Sequence, residues 1–200
     1  VGSEMCIRDR LSPVTYLSGV NIVRDACEHP VLGKYIHKVQ FDELMQTLNL
    51  PMDELQKFAS DVLERFENPF VDHQVTSIML NSFPKYETRD LPGVKVYLER
   101  KGELPQGLVF GLAAIITYYK GGTRADGAPI QPQDDQKIID KLKELWATGD
   151  TQKVAEGVLA FDYIWKEDLN KTVPGLTELV KKDLDLIQEK GMLEAVKTIL

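Results

Sequence analysis

The segment from Arg65 to Tyr86 reads RFENPFVDHQVTSIMLNSFPKY and gathers the most suggestive polar chemistry in the chain. If Val71 to Phe83 is helical, His73 shares a face with Ser77 and Leu80, and Asn81 and Lys85 stand four residues apart on one face. An ammonium, an amide, a hydroxyl and an imidazole so arranged suit a hydroxylated anion. Lys85 would supply the cation, Asn81 and Ser82 the hydrogen bonds, and His73 a donor or acceptor. The same residues are also what an ordinary polar surface helix carries, and spacing alone favours that plainer reading.

Other chemistries find less support. His29 and His37 lie eight residues apart and can share a helix face. No carboxylate or thiol joins them at ligand spacing, so no metal site is expected. Ser18, Ser60 and Ser77 lack a G-x-S-x-G elbow. Cys27 stands in an apolar stretch and reads as a small core residue. The stretch from Gly121 to Gly127 is rich in glycine but follows a helix rather than a strand, which argues for a flexible rim loop over a phosphate cradle. The phosphate-binding patterns GxGxxG and GxxxxGK[ST] are absent. The acidic runs at Asp134–Asp135 and Asp183–Asp185 read as solvated helix faces.

The elements that must position these residues are helical almost throughout. From Pro13 an apolar helix runs toward Cys27, and Glu28-His29-Pro30 should end it, because proline disfavours a helical residue before it. Pro51 opens the clearest element: Asp53 and Glu54 complement the helix dipole, and Leu55, Phe58, Ala59, Val62, Leu63 and Phe66 recur on one face. Asn68-Pro69 breaks it, and Val71, Val75, Ile78, Met79 and Phe83 form the next stripe, with Pro84 near its end. Leu91-Pro92-Gly93 reads as a turn before a short helix from Val94 to Arg100, with Gly102 as C-cap. Leu104 to Lys120 reads as a buried helix, stopped by Gly121-Gly122. A polar loop from Thr123 to Asp134 precedes helices at Asp135–Trp146, Thr151–Phe161, Leu176–Gln188 and Met192–Leu200. No segment alternates with period two, so little or no sheet is expected and the fold class is all-α.

Composition limits the partners. The chain has 200 residues and a net charge of −7 without a run of Lys and Arg, which argues against nucleic acid and against an anionic membrane surface. Its longest apolar stretch, Leu108 to Tyr119, falls short of the roughly 20 residues that a spanning helix needs. Two cysteines and no CxxC pair suit a reducing, cytoplasmic setting. The first ten residues, VGSEMCIRDR, show neither helical nor strand periodicity and read like a translated adapter. Residues 1–10 are therefore expected to be a non-native leader and residues 11–200 the helical domain.

PVTYLSG at Pro13–Gly19, the block RFENPFVDHQVTSIMLNSFPKY, Leu91-Pro92 and GELPQGLVFGLAAIITYYKG together resemble the polyol and mannitol dehydrogenase family, and within it the tagaturonate reductases (altronate dehydrogenases). The resemblance runs from residue 11 to the end, and the RF-NP…LNS--K block is its most specific part. It implies a multi-helix C-terminal domain of the 6-phosphogluconate-dehydrogenase-like, mannitol dehydrogenase type, closing over a sugar-acid substrate. In the family a Rossmann domain that precedes this part binds NAD, and hydride passes reversibly between NADH and the keto group of tagaturonate to give altronate. No metal is implied.

The sequence departs from the family at its catalytic Lys, Asn and His, which belong just upstream of PVTYLSG. Met5 and Arg8 stand where the Asn and His would be. No catalytic residue is therefore assigned, cofactor-binding residues are unknown, and the chain by itself is expected to be inactive. What the resemblance carries over is a substrate-side role for Asn81, Ser82 and Lys85, and for His73, Arg65 and Asn68. Fragments of a fructuronate reductase or mannitol dehydrogenase, or a non-catalytic helical interaction module, are the alternatives. Oligomeric state is left open.

Overall fold

A computed structural model describes residues 4–49, 51–66, 70, 72–124 and 126–200. Its centre is α8 (Gln106–Tyr118), whose residues are buried on every side apart from Gln106 and Thr117. A helix apolar all round must be enclosed. The enclosing elements are α1 (Glu4–Leu17), α6 (Ser82–Arg89), α13 (Leu176–Lys190), α14 (Met192–Ile199) and a π-helical stretch, Lys38–Leu44. Leu108, Leu112 and Ile115 are almost wholly removed from water, and each such side chain contributes about 1.5–3 kcal/mol.

The first helix begins at Glu4, inside the stretch whose sequence lacks periodicity, and carries Pro13 within it. It ends at Leu17, two residues before the left-handed Gly19, and α2 (Val23–Glu28) follows rather than continuing it. His29-Pro30 does stop α2. The His29 Nδ1 then accepts the N–H groups of Val31 and Leu32 and so caps α3 (Leu32–His37). The chain runs on through the π-helical stretch and a 3-10 turn, Met45–Thr47, to α4 (Met52–Phe66), which packs on α2 and the π-helical stretch.

The expected single helix over Val71–Phe83 is two short ones, α5 (Val75–Ile78) and α6. Two causes are visible. Residues 73–75 are drawn into an extended pairing with the α1–α2 turn, where Val23 N–H donates to the His73 carbonyl and Val75 N–H to that of Asn21. Asn81 then adopts a left-handed conformation, φ 54°, ψ 52°, which asparagine tolerates better than most residues. Pro84 falls in the first turn of α6, where its missing N–H breaks no helical hydrogen bond, so it starts this helix and does not end one.

Leu91-Pro92-Gly93 is likewise the first turn of α7 (Leu91–Lys101), which closes on Gly102 at φ 74°. The stretch after α8 is no loose rim. Gly122–Thr123 (β1) pairs antiparallel with Pro129–Ile130 (β2), and α9 (Gln136–Trp146) starts on the Asp135 side-chain cap. α10 (Thr151–Leu159), α11 (Asp162–Trp165) and α12 (Leu169–Thr172) lead into α13. Among the described residues no helix is long and apolar enough to cross a membrane.

Candidate functional site

The N-terminus of α6 is where the sequence-predicted polar residues meet. Asn81 is its exposed N-cap, and the Lys85 N–H reaches the Asn81 carbonyl at 3.4 Å, so the one-turn relation between these residues survives the break in the helix. The Lys85 ammonium, half-buried, donates to the Ile78 carbonyl at 2.6 Å. Ser82 is buried, and its hydroxyl donates to the Met79 carbonyl at 2.7 Å. Both side chains thus reach carbonyls at the end of α5, which fixes the elbow between α5 and α6.

The remaining candidates are placed differently. His73 is half-buried in the extended segment before α5, next to an ion pair of 3.0 Å between Arg24 and Asp72. It does not share a helical face with Ser77, because residues 72–74 are not helical. Arg65 is exposed in the last turn of α4, the helix that packs on α2 and the π-helical stretch. Asn68 lies outside the described residues.

What sequence reasoning missed is the loop behind the elbow. Asn81 N–H donates to the Gln133 carbonyl at 3.1 Å. Tyr118 OH donates to the Gln131 carbonyl at 3.0 Å, Tyr119 OH to Asp134, and Tyr163 OH to Asp135 at 2.9 Å. Upstream, Arg124 is buried over the Tyr16 ring and donates to the Tyr16 carbonyl, Asn21 and Asp126. The expected flexible loop is therefore a strap, held because its polar groups find partners on α1, α6, α8 and α11. Burial pushes the Tyr118 phenol up to about 12. Burial, reinforced by the bond to Asp134, raises Tyr119 well above the ordinary phenol range. Both phenols therefore stay protonated donors at neutral pH.

A second correction concerns Asp183. It is wholly buried and accepts both bonds from the Gln106 side-chain amide, at 3.0 and 3.1 Å, rather than lying on a solvated face. The reason is its register: Leu176, Val180, Leu184 and Ile187 form the buried stripe of α13, and position 183 falls on it. Burial raises its carboxyl to about 7, although Gln106 and then Lys182 pull it down.

The described residues do not build a dinucleotide cradle. Their sheet is one hairpin of two-residue strands, with no strand leading through a glycine-rich turn into a helix. Nor do they group three or more His, Cys, Asp or Glu residues as a metal site. What the elbow offers is the exposed Asn81 amide one turn from the half-buried Lys85 ammonium, two groups of the kind that orient a polar molecule.

Comparison with known proteins adds the following. The family model for the mannitol dehydrogenase C-terminal domain matches residues 10–188. An altronate oxidoreductase of Phocaeicola vulgatus is 79% identical over 190 residues, 95% of this chain, and one of Bacteroides thetaiotaomicron is 78% identical over the same length. The chain spans about two-fifths of the length of these curated relatives (40%). Among solved structures, a Pseudomonas fluorescens mannitol 2-dehydrogenase in ternary complex with NAD and D-mannitol superposes with a TM-score of 0.84 at 17% identity, over 98% of this chain and 39% of that one. A D-sorbitol dehydrogenase in substrate-free form gives 0.80 at 20% identity, over 98% and 39%. These two likenesses concern the fold.

Proposed function

The chain belongs to the mannitol dehydrogenase C-terminal domain family, and from that premise we propose that it is the substrate-side domain of an NAD-dependent altronate oxidoreductase. The whole protein would interconvert tagaturonate and altronate in the cytoplasm. The observation that carries this reading is the 79% identity with the Phocaeicola vulgatus altronate oxidoreductase over 190 residues. NAD, held outside the described residues by a preceding Rossmann domain, supplies the hydride chemistry when bound.

This chain's own part is to bind and orient. The Lys85 ammonium meets the substrate carboxylate or a hydroxyl beside it, and Asn81 offers its amide to a neighbouring hydroxyl. Ser82 has its hydroxyl committed to Met79, so its contribution is to hold the elbow. His73, Arg65 and Asn68 complete the set of candidate contacts.

The test joins this chain to the N-terminal part of the Phocaeicola vulgatus relative and follows NADH oxidation with tagaturonate, fructuronate and fructose. Tagaturonate should be the preferred substrate, and turnover of none of the three would sink the assignment. In the same protein Lys85→Ala should raise KM by about tenfold and leave kcat within about twofold, the signature of lost substrate binding. Unchanged kinetics would remove Lys85 from the site.

A further inference from the structure

The strap Gln131–Asp135 touches α6 where its first main-chain groups emerge. Tyr119 lies at the heart of this contact, 1% exposed, with its ring 4.8 Å from that of Phe83 on α6. Its hydroxyl donates to Asp134 Oδ2. Asp134 is held in turn, since its Oδ1 accepts the Asp135 N–H at 2.7 Å. The Asn81 N–H at this helix start is thus satisfied by the Gln133 carbonyl of the strap, next to the Asp134 that Tyr119 holds, rather than by a cap of its own.

This matters because Asn81 is held in a conformation that costs free energy for any residue with a side chain. Such a conformation persists only where its surroundings fix it. The Gln133 carbonyl supplies that fixing contact, and the Tyr119–Asp134 bond anchors the strap that carries it. A helix start fixed in this way presents Asn81 and Lys85 at constant spacing.

We propose that Asp134, pinned by Tyr119, is a positioning residue for the substrate face, holding the Gln133 carbonyl on the start of α6 so that Asn81 and Lys85 keep their places for the sugar acid. The inference rests on the substrate reading of α6 given above. Asp134 touches no substrate. Its effect passes along the strap to the main chain of Asn81, so loss of its acceptor oxygen matters, whereas loss of its charge does not.

The experiment uses the joined protein for kinetics and the 200-residue chain for amide exchange. Asp134→Ala and Tyr119→Phe should each raise the tagaturonate KM by about tenfold with kcat within about twofold. Asp134→Asn, which keeps an acceptor for the phenol, should restore KM to within about twofold of the parent. In the chain, Asp134→Ala should speed exchange at the Asn81 amide and leave Leu184 and Ile187 protected. If Lys85→Ala raises KM while Asp134→Ala and Tyr119→Phe do not, the positioning role is overturned and the substrate face stands. If none of the three moves KM, the substrate face itself is wrong, and this inference goes with it. Exchange that quickens equally along α13 would mean general loosening and would also overturn it.

Discussion

The starts of α8 and α6 pose the same problem and solve it in opposite ways. Neither N-cap residue, Pro105 or Asn81, uses its own side chain to satisfy the orphan N–H groups of its helix. For α8 the answer is a buried charge. Glu43, on the π-helical stretch, accepts the Gly107 N–H at 2.7 Å and the Leu108 N–H at 2.8 Å, and the Tyr35 and Tyr86 hydroxyls bind the carbonyls of the same two residues. A Cβ on Gly107 would stand 2.6 Å from Val39, so only glycine lets the stretch come this close. For α6 the answer is a strap held by a neutral phenol, with Asn81 exposed and the Lys85 ammonium half-buried on the Ile78 carbonyl. The buried start makes the core, and the exposed start is the one proposed above as the substrate face.

Breaking the buried start should have the largest effect. Glu43→Ala leaves two buried amides without acceptors, and the chain should lose about 3 kcal/mol of stability. Glu43→Gln, which keeps one good acceptor, should fall between. Burial raises the Glu43 carboxyl, an effect the two amides only partly offset, so part of the loss is returned when the charge is removed. Urea denaturation of both variants measures this, and a loss below about 0.5 kcal/mol for the alanine would show the fork to be decorative.

The other carboxylate at this helix start makes the comparison dependent on pH. Asp183 has no cation in direct contact and titrates near 7 in the folded chain, against 3.8 ordinarily. Between roughly pH 4 and 7 the folded chain therefore keeps a proton that the unfolded chain has released. Stability should fall as pH rises through that window and level off above it. Asp183→Asn should flatten this slope, match the parent near pH 4, and exceed it by about 2 kcal/mol at pH 8. Melting temperatures at the two pH values decide it, and parallel pH profiles for parent and variant would show that Asp183 is not the titrating group.

These carboxylates mark how far the sequence could be read. The spacing of Leu176, Val180, Leu184 and Ile187 already puts position 183 on the buried stripe, so Asp183 was legible and only the habit of reading an acidic run as solvated hid it. The buried α8 and the amphipathic α4, α9 and α13 were legible too, because periodicity of 3.6 needs no knowledge of partners. Lys85 and Asn81 remained one turn apart since the break fell at the residue before α6. The break itself depended on Val23 and Asn21 drawing residues 73–75 into a bridge, a contact some 50 residues away in sequence. Glu43 and the Tyr119–Asp134 pair were hidden for the same reason, as partners brought together by tertiary packing rather than by spacing.

The smallest effect sharpens the comparison most. Left-handed geometry at Asn81 is tolerated but not free, whereas glycine adopts it without strain. Asn81→Gly should therefore stabilise the chain by a few tenths of a kcal/mol, about 0.5 at most. If the amide of Asn81 meets the substrate, the same change should raise KM severalfold in the joined protein, so that stability and binding move in opposite directions. Lys166, at φ 59° with its ammonium 3.0 Å from Glu87 on α6, provides the control. Its ion pair is exposed and contributes little, so Lys166→Gly should give a similar gain in stability with KM unmoved. A rise in KM at Asn81 alone would tie the strain to binding, and equal kinetics for the two variants would reduce Asn81 to a turn residue.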